Sequence, residues 1–379
     1  MLRGRGNRVN VRSRDVQHMA TLARLAIRSS LRPSGPLSDE DVEHLHHDLM
    51  YVAALERDEL HSFLQLANTH HVVVRALTSL YNAAAGGGDT GIGEWCHGAL
   101  TCERARISRA VAYLHAICDA FEATNCEVAV IKSLDHWPDL GSDLDLYTSA
   151  DKDHVHQVMR EQFSARPIER SWGDRLANKW NYRVPGLPEL VEVHVQYLGQ
   201  TGEHATIAQR VVKRRIQRTV GGDVFQIPAP EERIVIATLQ RVYRHFYFRL
   251  CDMVDTAELL QAGAVDFAEL KSAAECAGIW PGVATFLCLV ENYVASYGAA
   301  LHLPLDAEAA AHARNSHVKY GTGFLRVAKS TALSLYSSQL LQACLRQDFR
   351  ALMRLPLLPP LAVSALVAHS LTGNDKGIW

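Results

Sequence analysis

Two short segments in which acidic and apolar side chains strictly alternate constrain this chain more than any other feature. In the first, GSDLDLYTSAD at residues 141–151, Asp143 and Asp145 alternate with Leu144 and Leu146. This period of two predicts a β-strand, on which residues i and i+2 point to the same face. Both carboxylates therefore face one point. Two like charges so close together raise the pKa of one of them unless a cation lies between them.

The second segment, LVEVHVQYL at residues 190–198, has Glu192 and His194 between three valines. An acid and a histidine on the polar face of a buried strand need polar partners on that face. If the two strands are neighbours, three carboxylates form the oxygen-rich cage that Mg²⁺ prefers. Two such metals about 3.5–4 Å apart can activate an attacking hydroxyl and hold a leaving pyrophosphate. A solvated strand edge remains the alternative for the aspartate pair alone.

The order of the predicted elements divides the 379 residues into four regions and indicates an α+β fold. We expect a flexible basic tail at 1–37, a helical region at 38–125, a mixed α/β core at 126–229 and a C-terminal helical domain at 230–379. Within these regions, the glycines of 83–95 predict a flexible loop between helices. The basic run 210–218 predicts a solvated helix or, alternatively, a contact with a polyanionic acceptor.

Composition limits the classes of protein that this chain can belong to. A net charge of −2 with 48% hydrophobic residues is typical of a globular protein and does not indicate a nucleic-acid acceptor. The eight cysteines are scattered without a CxxC pair, which predicts reduced thiols and a cytoplasmic location. The start of the chain lacks the apolar run of a secretory signal. The apolar segment 355–371 contains three prolines and is too short to span a membrane, so we expect no membrane partner.

Three motifs together resemble a known superfamily. The residues IKS at 131–133, DLDLY at 143–147 and VEVHV at 191–195 follow one another in the order and at the spacing of the polymerase-β-like nucleotidyltransferases. More narrowly, the chain is similar to the uncharacterised nucleotidyltransferase family over about residues 55–300. The resemblance implies a polymerase-β-like nucleotidyltransferase core with a mixed sheet, flanked by N-terminal and C-terminal helical regions. One departure is Ser133, where the family has a glycine that lets backbone N–H groups approach a phosphate closely.

The resemblance also implies roles for particular residues. The acids Asp143, Asp145 and Glu192 would be catalytic and would bind the metal, Mg²⁺ or Mn²⁺. Lys132 and Ser133 would meet the phosphates of the nucleotide. His194 would position the acceptor or a ligand, or would serve a structural role. On the helix predicted at 231–250, helical spacing places Arg241, Arg244 and His245 on one face, which would clamp phosphates or form a solvated basic surface.

These observations predict a metal-dependent nucleotidyltransferase. It would transfer NMP from an NTP, with ATP as the expected donor, to a hydroxyl, phosphate or carboxylate acceptor that the sequence does not identify. Pyrophosphate would leave. The first alternative is an inactive nucleotidyltransferase fold that serves as a binding or regulatory module, which Ser133 favours. The second is a nucleotide-sugar glycosyltransferase with a DxD motif, which the short core disfavours.

Overall fold

The computed structural model of the protein describes residues 13–31, 39–199, 203–245, 247–311, 317–321, 323–361, 363, 364 and 367. The described chain begins with a helical region. Its five helices are α1 (Ser13–Leu31), α2 (Asp39–Ala53), α3 (Arg57–Thr69), α4 (Val73–Gly87) and α5 (Thr90–Ala123).

Helix α1 corrects the prediction of a flexible tail over residues 1–37. Its apolar side chains, among them Met19 and Leu22, are buried, and the helix packs against α4. Arg24 on the same helix donates hydrogen bonds to the buried Asp48 on α2, at 2.9 and 2.6 Å. The arginines of this segment suggested a solvated tail, but apolar residues at helical spacing between them bury one side of the helix. Residues 1–12 and 32–37 lie outside the described residues.

The flexible loop predicted at 83–95 is also wrong. Helix α4 continues to Gly87, and α5 begins at Thr90. The reversal takes only Gly88, which is left-handed at φ 75°, and Asp89, whose carboxylate accepts from the N–H of Ile92 at 3.1 Å. Glycine readily adopts the left-handed conformation that ends a helix, and aspartate is a favoured N-cap for the helix that follows. Two residues are therefore enough to reverse the chain between α4 and α5.

A five-stranded mixed sheet in the order β1-β2-β5-β4-β3 forms the centre of the molecule. Its strands are β1 (Val128–Val130), β2 (Asp143–Thr148), β3 (Arg166–Pro167), β4 (Lys179–Arg183) and β5 (Leu190–Val195). Strands β2 and β5 are parallel, and the other neighbours are antiparallel. Between β2 and β5 the chain passes through α6 (Lys152–Phe163) and α7 (Trp172–Leu176), because a parallel pair needs a long crossover. The apolar positions of β2 and β5, such as Leu144 and Val191, are fully buried on the face opposite the acids.

After the sheet come α8 (Glu203–Lys213) and a hairpin of β6 (Arg215–Val220) and β7 (Asp223–Pro228). The single basic helix predicted at 210–218 is therefore wrong, since a strand begins at Arg215. Arg210 and Arg214 pair with the buried Glu232, with Nε–oxygen distances of 2.9 and 3.1 Å. These partly exposed arginines are thus paired with carboxylates of the protein itself.

The C-terminal region is helical with one added hairpin. Its helices are α9 (Pro230–Thr238), a π-helical turn (Leu239–His245), α10 (Leu250–Gln261), α11 (Phe267–Cys276), α12 (Trp280–Ala295), α13 (Leu305–Ala310), α14 (Lys329–Leu345) and α15 (Phe349–Arg354). Strands β8 (Lys319–Gly321) and β9 (Phe324–Arg326) form the hairpin. Of the apolar segment 355–371, Leu355 and Leu358 are buried, and much of the remainder lies outside the described residues. Among the helices that the structure describes, none has the length and apolar composition required to cross a membrane. All eight cysteines are free.

Candidate active site

The parallel pairing of β2 with β5 brings the predicted acids to one face of the sheet. Asp145 lies directly opposite Glu192, and Asp143 lies opposite Leu190. The register also places His194 on this face. One ligand atom from each of Asp145, Glu192 and His194 lies within 4.8 Å of the others. Asp143 and Asp145 are partly exposed, whereas Glu192 and His194 are buried.

Two lysines neutralise these carboxylates. The ammonium group of Lys132 is paired with Asp145 and lies 3.3 Å from Oε1 of Glu192. The second lysine, Lys179, contacts the other oxygen of Glu192 and lies 3.0 Å from Asp174. The antiparallel register of β4 on β5 places Lys179 opposite His194 and therefore on the same face. The sequence reasoning missed Lys179, because KWNYR shows its functional face only once its strand partner is known.

The charges at this face shift the pKa values of the acids in opposite directions. Burial and the charge of Glu192 raise the pKa of Asp145 to about 8, although Lys132 opposes this shift. Burial would also raise the pKa of Glu192, but Lys179 and Lys132 hold it well below its usual range. Glu192 is therefore a stable anion, and Asp145 has the higher pKa of the two carboxyl groups.

His194 is neutral and partly unpartnered. Burial lowers its pKa to about 4, so that Nε2 carries the proton and donates to Oε1 of Glu192 at 2.9 Å. Its other nitrogen, Nδ1, is buried and has no hydrogen-bond partner among the described residues. The ring lines a small cavity of about 50 Å³, which we call the Lys132 cavity and which Tyr243 and Arg244 also line.

The turn that carries Lys132 is strained. Lys132 has φ 62° and ψ −53°, and the N–H of Ser133 donates to the carbonyl of Ile131 at 2.6 Å, which defines a γ-turn of the rare positive-φ type. A residue other than glycine costs about 1–3 kcal/mol in such a conformation, and strain of this kind concentrates at functional sites. The strained position is thus Lys132, one residue before the position at which the family has glycine.

Ser133 does not present its hydroxyl to the site. The side chain is 1% exposed, accepts from the N–H of Asp145 at 2.7 Å and donates to the carbonyl of Asp143 at 3.3 Å. The serine therefore fastens the turn to β2. A role in phosphate binding through this hydroxyl, which the resemblance implied, has no support in the geometry.

The basic residues predicted on one helix face lie on a π-helical turn, Leu239–His245, in which the backbone hydrogen bonds do not follow α-helical spacing. Arg241 is 2% exposed and its Nε lies 2.8 Å from Asp252, so it has a structural partner. Arg244 lines the Lys132 cavity, and its Nε is buried without a partner among the described residues. Burial and the neighbouring charge of Arg244 lower the pKa of His245 well below its usual range, so this ring is neutral.

A buried cluster around His136 connects the turn that carries Lys132 to helix α10. The 3-10 helix Ser133–His136 follows Lys132, and His136 Nδ1 lies 2.5 Å from Asp255 on α10. The thiol of Cys251 lies 3.9 Å from the other ring nitrogen, and Arg75 Nη1 on α4 lies 2.8 Å from Asp255. One ligand atom from each of His136, Cys251 and Asp255 lies within 4.8 Å of the others. Because the carboxylate and the thiol meet opposite nitrogens of the ring, the arrangement is a hydrogen-bonded chain that joins the turn to two helices.

The ligand atoms of the cluster formed by Asp145, Glu192 and His194 suit a divalent cation. Two carboxylates and a neutral imidazole converge, and hard cations such as Mg²⁺ take carboxylate oxygens. The lysine ammonium groups show that this point of the sheet attracts positive charge. Asp143, Asp145 and Glu192 are the residues that would hold the cation, with His194 beside them.

Comparison with known proteins identifies the family of this chain. The uncharacterised nucleotidyltransferase family matches residues 56–295, and the chain belongs to this family. Two solved structures are similar to it in part. The antibiotic-resistance factor ANT(2'')-Ia is 11% identical, with 44% of this chain and 92% of that chain covered and a TM-score of 0.34. An antigenic nucleotidyltransferase-like protein from Paracoccidioides brasiliensis is 15% identical, with 51% and 93% covered and a TM-score of 0.32. Comparison with curated proteins gives no match.

Proposed function

We propose that this protein is a metal-dependent nucleotidyltransferase that transfers NMP from an NTP to an acceptor and releases pyrophosphate. The observation that carries the proposal is the convergence of Asp145, Glu192 and His194 on one face of the sheet, with Asp143 on the same face of β2. Membership of the family favours this activity over the glycosyltransferase alternative. Mg²⁺ as the metal, ATP as the donor and a cytoplasmic location are parts of the same proposal.

Cationic side chains beside the acids would receive the triphosphate. Lys132 projects from the strained turn, and Arg244 lies close enough to Lys132 for its charge to oppose the protonation of that lysine. A guanidinium with an unpartnered Nε at the wall of the Lys132 cavity is a ready donor to phosphate oxygens. We assign both residues to the nucleotide phosphates. His245, neutral and next to Arg244, would contribute no charge to the phosphates.

The proposed reaction moves the NMP group from the NTP to the acceptor oxygen. An acceptor oxygen attacks the α-phosphorus, the bond from that phosphorus to the bridging oxygen of the β-phosphate breaks, and pyrophosphate leaves with the bonding electrons. A proton leaves an acceptor hydroxyl and passes to a carboxylate. Of the two carboxylates opposite each other, Asp145 has the higher pKa and is the stronger base. Bound divalent cations would supply charge stabilisation at the phosphates.

Replacing Asp143 with asparagine tests the proposal. The change keeps the shape of the side chain and removes one charge from the metal cage, so pyrophosphate release should fall by about 10²–10³-fold or more. The wild type should gain thermal stability from Mg-ATP because the ligand binds the folded state, and the variant should lose most of that gain. Asp153→Asn, an exposed acid at the start of α6, serves as the matched control. Equal Mg-ATP shifts in Asp143→Asn and the wild type would refute the metal site.

One observation favours the alternative of a binding module without turnover. In this structure both lysines occupy the carboxylates, and the hydroxyl of Ser133 is engaged by β2. A module of this kind would show the Mg-ATP shift in the wild type without pyrophosphate release. Mass-spectrometric detection of an NMP adduct after incubation with cell extract would decide for the enzyme.

A further inference from the structure

A second and larger cavity, of about 290 Å³, lies beside the sheet where β2 and β5 begin. We call it the Glu189 cavity. Its polar lining consists of Asn68, His71, Glu103, Arg106, Ser142 and Glu189. Ser142 directly precedes Asp143, and Glu189 directly precedes Leu190, the residue that pairs with Asp143. The cavity therefore adjoins the Asp143 end of β2, to which the turn of Lys132 and Ser133 is also fastened.

The single arginine of this cavity is already satisfied. Nε and Nη2 of Arg106 donate to Glu103 at 2.9 and 2.6 Å, and Nη1 donates to Glu189 at 2.6 Å. The remaining contacts of its guanidinium are with the carbonyls of Leu140 and Gly141, at 3.0 and 3.3 Å. All the donor nitrogens are thus engaged, and this arginine is not available to bind an anionic group.

The neighbouring histidine does not add a charge. Burial, together with the charge of Arg249, lowers the pKa of His71 well below its usual value, and the ring is neutral. Its Nε2 lies 2.6 Å from Nη1 of Arg249 and accepts from it. Of the described residues that line the cavity, Arg106 is therefore the single cation against two carboxylates. The lining is net negative.

The carboxylate of Glu189 indicates which kind of ligand the cavity binds. The residue is 5% exposed, and only its Oε1 is paired with Arg106. Its Oε2 is buried and has no hydrogen-bond partner in the described structure. A buried acceptor without a partner is costly, and an ionised acceptor more so. The cavity thus presents acceptors and negative charge, which suits a ligand that carries donors and positive charge and does not suit a triphosphate.

We propose that the Glu189 cavity binds the acceptor, and that the acceptor is a small hydroxyl compound carrying a protonated amine. Its ammonium group would meet Glu189, and its hydroxyl would lie at the Ser142 side of the cavity, next to Asp143. The volume is close to the lower end of the roughly 300–1,000 Å³ typical of small-molecule sites, which fits a molecule of about one sugar ring. This inference rests on the proposed function, and it makes the hydroxyl the group that attacks the α-phosphorus.

Three probes built on one ring separate charge from shape: glucosamine, glucose and glucuronate. Calorimetry on the full chain with each probe should show that glucosamine binds about tenfold more tightly than glucose and that glucuronate binds most weakly. Glu189→Gln should reduce glucosamine binding about tenfold and should leave glucose unaffected. Asn68→Trp adds bulk from an exposed position on the cavity wall and should weaken binding of glucosamine and glucose alike.

Glu127→Gln is the control, since it breaks a more exposed glutamate–arginine pair, with Arg215 at 2.8 Å, on a different part of the protein. It should leave glucosamine binding unchanged. Preference for glucuronate, binding of none of the probes at about 10 mM, or glucosamine affinity that is unchanged in Glu189→Gln and Asn68→Trp would overturn the assignment. The thermal shift with Mg-ATP is measured in the same proteins. A normal shift without the amine preference removes only the acceptor assignment, whereas the amine preference without any shift removes the nucleotide proposal.

Discussion

Replacing Lys132 with methionine should make the metal site bind a divalent cation without nucleotide. In the wild type the ammonium group of Lys132 lies between Asp145 and Glu192, where a cation bound by these carboxylates would also lie. Metal binding therefore requires the lysine to leave, and the triphosphate is the partner that would receive it. Methionine keeps the length of the side chain and the strained φ of 62° but removes the competing charge.

The size of this effect follows from the contacts that the metal must displace. A hydrogen bond to a charged group contributes about 1.5–3 kcal/mol, so removing it from the competition should tighten metal binding by roughly 10- to 100-fold. Breaking a buried pair usually costs about 3–5 kcal/mol. Here Lys179 still neutralises Glu192, and Asp145, whose pKa is about 8, can bind a proton when the lysine is absent. We therefore expect the free energy of unfolding to fall by only about 1–2 kcal/mol.

Calorimetry with Mg²⁺ or Mn²⁺ in the absence of nucleotide measures the affinity, and melting temperature measures stability. Pyrophosphate release with Mg-ATP should fall in the same variant, because the phosphates lose a cationic contact. Lys271→Met is the control, since Lys271 forms a pair with Asp306 at 2.9 Å on the exposed surface. Metal affinity that is equal or weaker in Lys132→Met than in the wild type would show that no cation enters between Asp145 and Glu192.

Two further predictions concern residues around the site. Arg244→Ala should weaken ATP binding by about 1–3 kcal/mol in calorimetry and leave the melting temperature nearly unchanged. Arg241→Ala leaves the buried Asp252 without its arginine partner and should lower the free energy of unfolding by about 3–5 kcal/mol in denaturant unfolding. The reverse pattern would contradict both assignments. His70 accepts from a backbone N–H at 2.9 Å and donates to a carbonyl at 3.1 Å, and burial lowers its pKa from 6.5 to about 4. The folded state thus binds fewer protons than the unfolded state between these pH values. Its contribution, about 3 kcal/mol, is complete above pH 6.5 and is lost as the pH falls through about 4. Urea unfolding across this range should show a shallower loss in His70→Gln, and identical pH profiles would refute the point.

The candidate acids could be predicted from the sequence because strand periodicity is a local property. On an extended chain alternate residues share a face whatever the partner strand is. The spacing therefore placed Asp143 and Asp145 on one face of β2, and Glu192 and His194 on one face of β5. The common face of Arg241, Arg244 and His245 was predicted from regular α-helical spacing, which a π-helical turn replaces over Leu239–His245. Their shared role in phosphate binding stays a prediction.

The remaining parts of the site were beyond local patterns. Lys179 reaches Glu192 only because β4 pairs with β5 in one particular register, and a shift by one residue would turn its side chain to the other face. The strained φ of Lys132 is likewise set from outside the turn, since Ser133 bonds to the backbone of β2 and His136 bonds to α10.

By itself, then, the sequence determined the faces on which the acids lie, because these follow from the period of each segment. It also indicated the family, through the resemblance of three motifs in order. The tertiary structure decided which charges meet those acids and where the cavities open. The arginines of α1 and α8 that suggested a tail and a basic surface are bound by carboxylates such as Asp48 and Glu232. The net negative Glu189 cavity exists only because α5 meets the start of two strands. Electrostatic partners are chosen by distance in space, and a sequence records distance only along the chain.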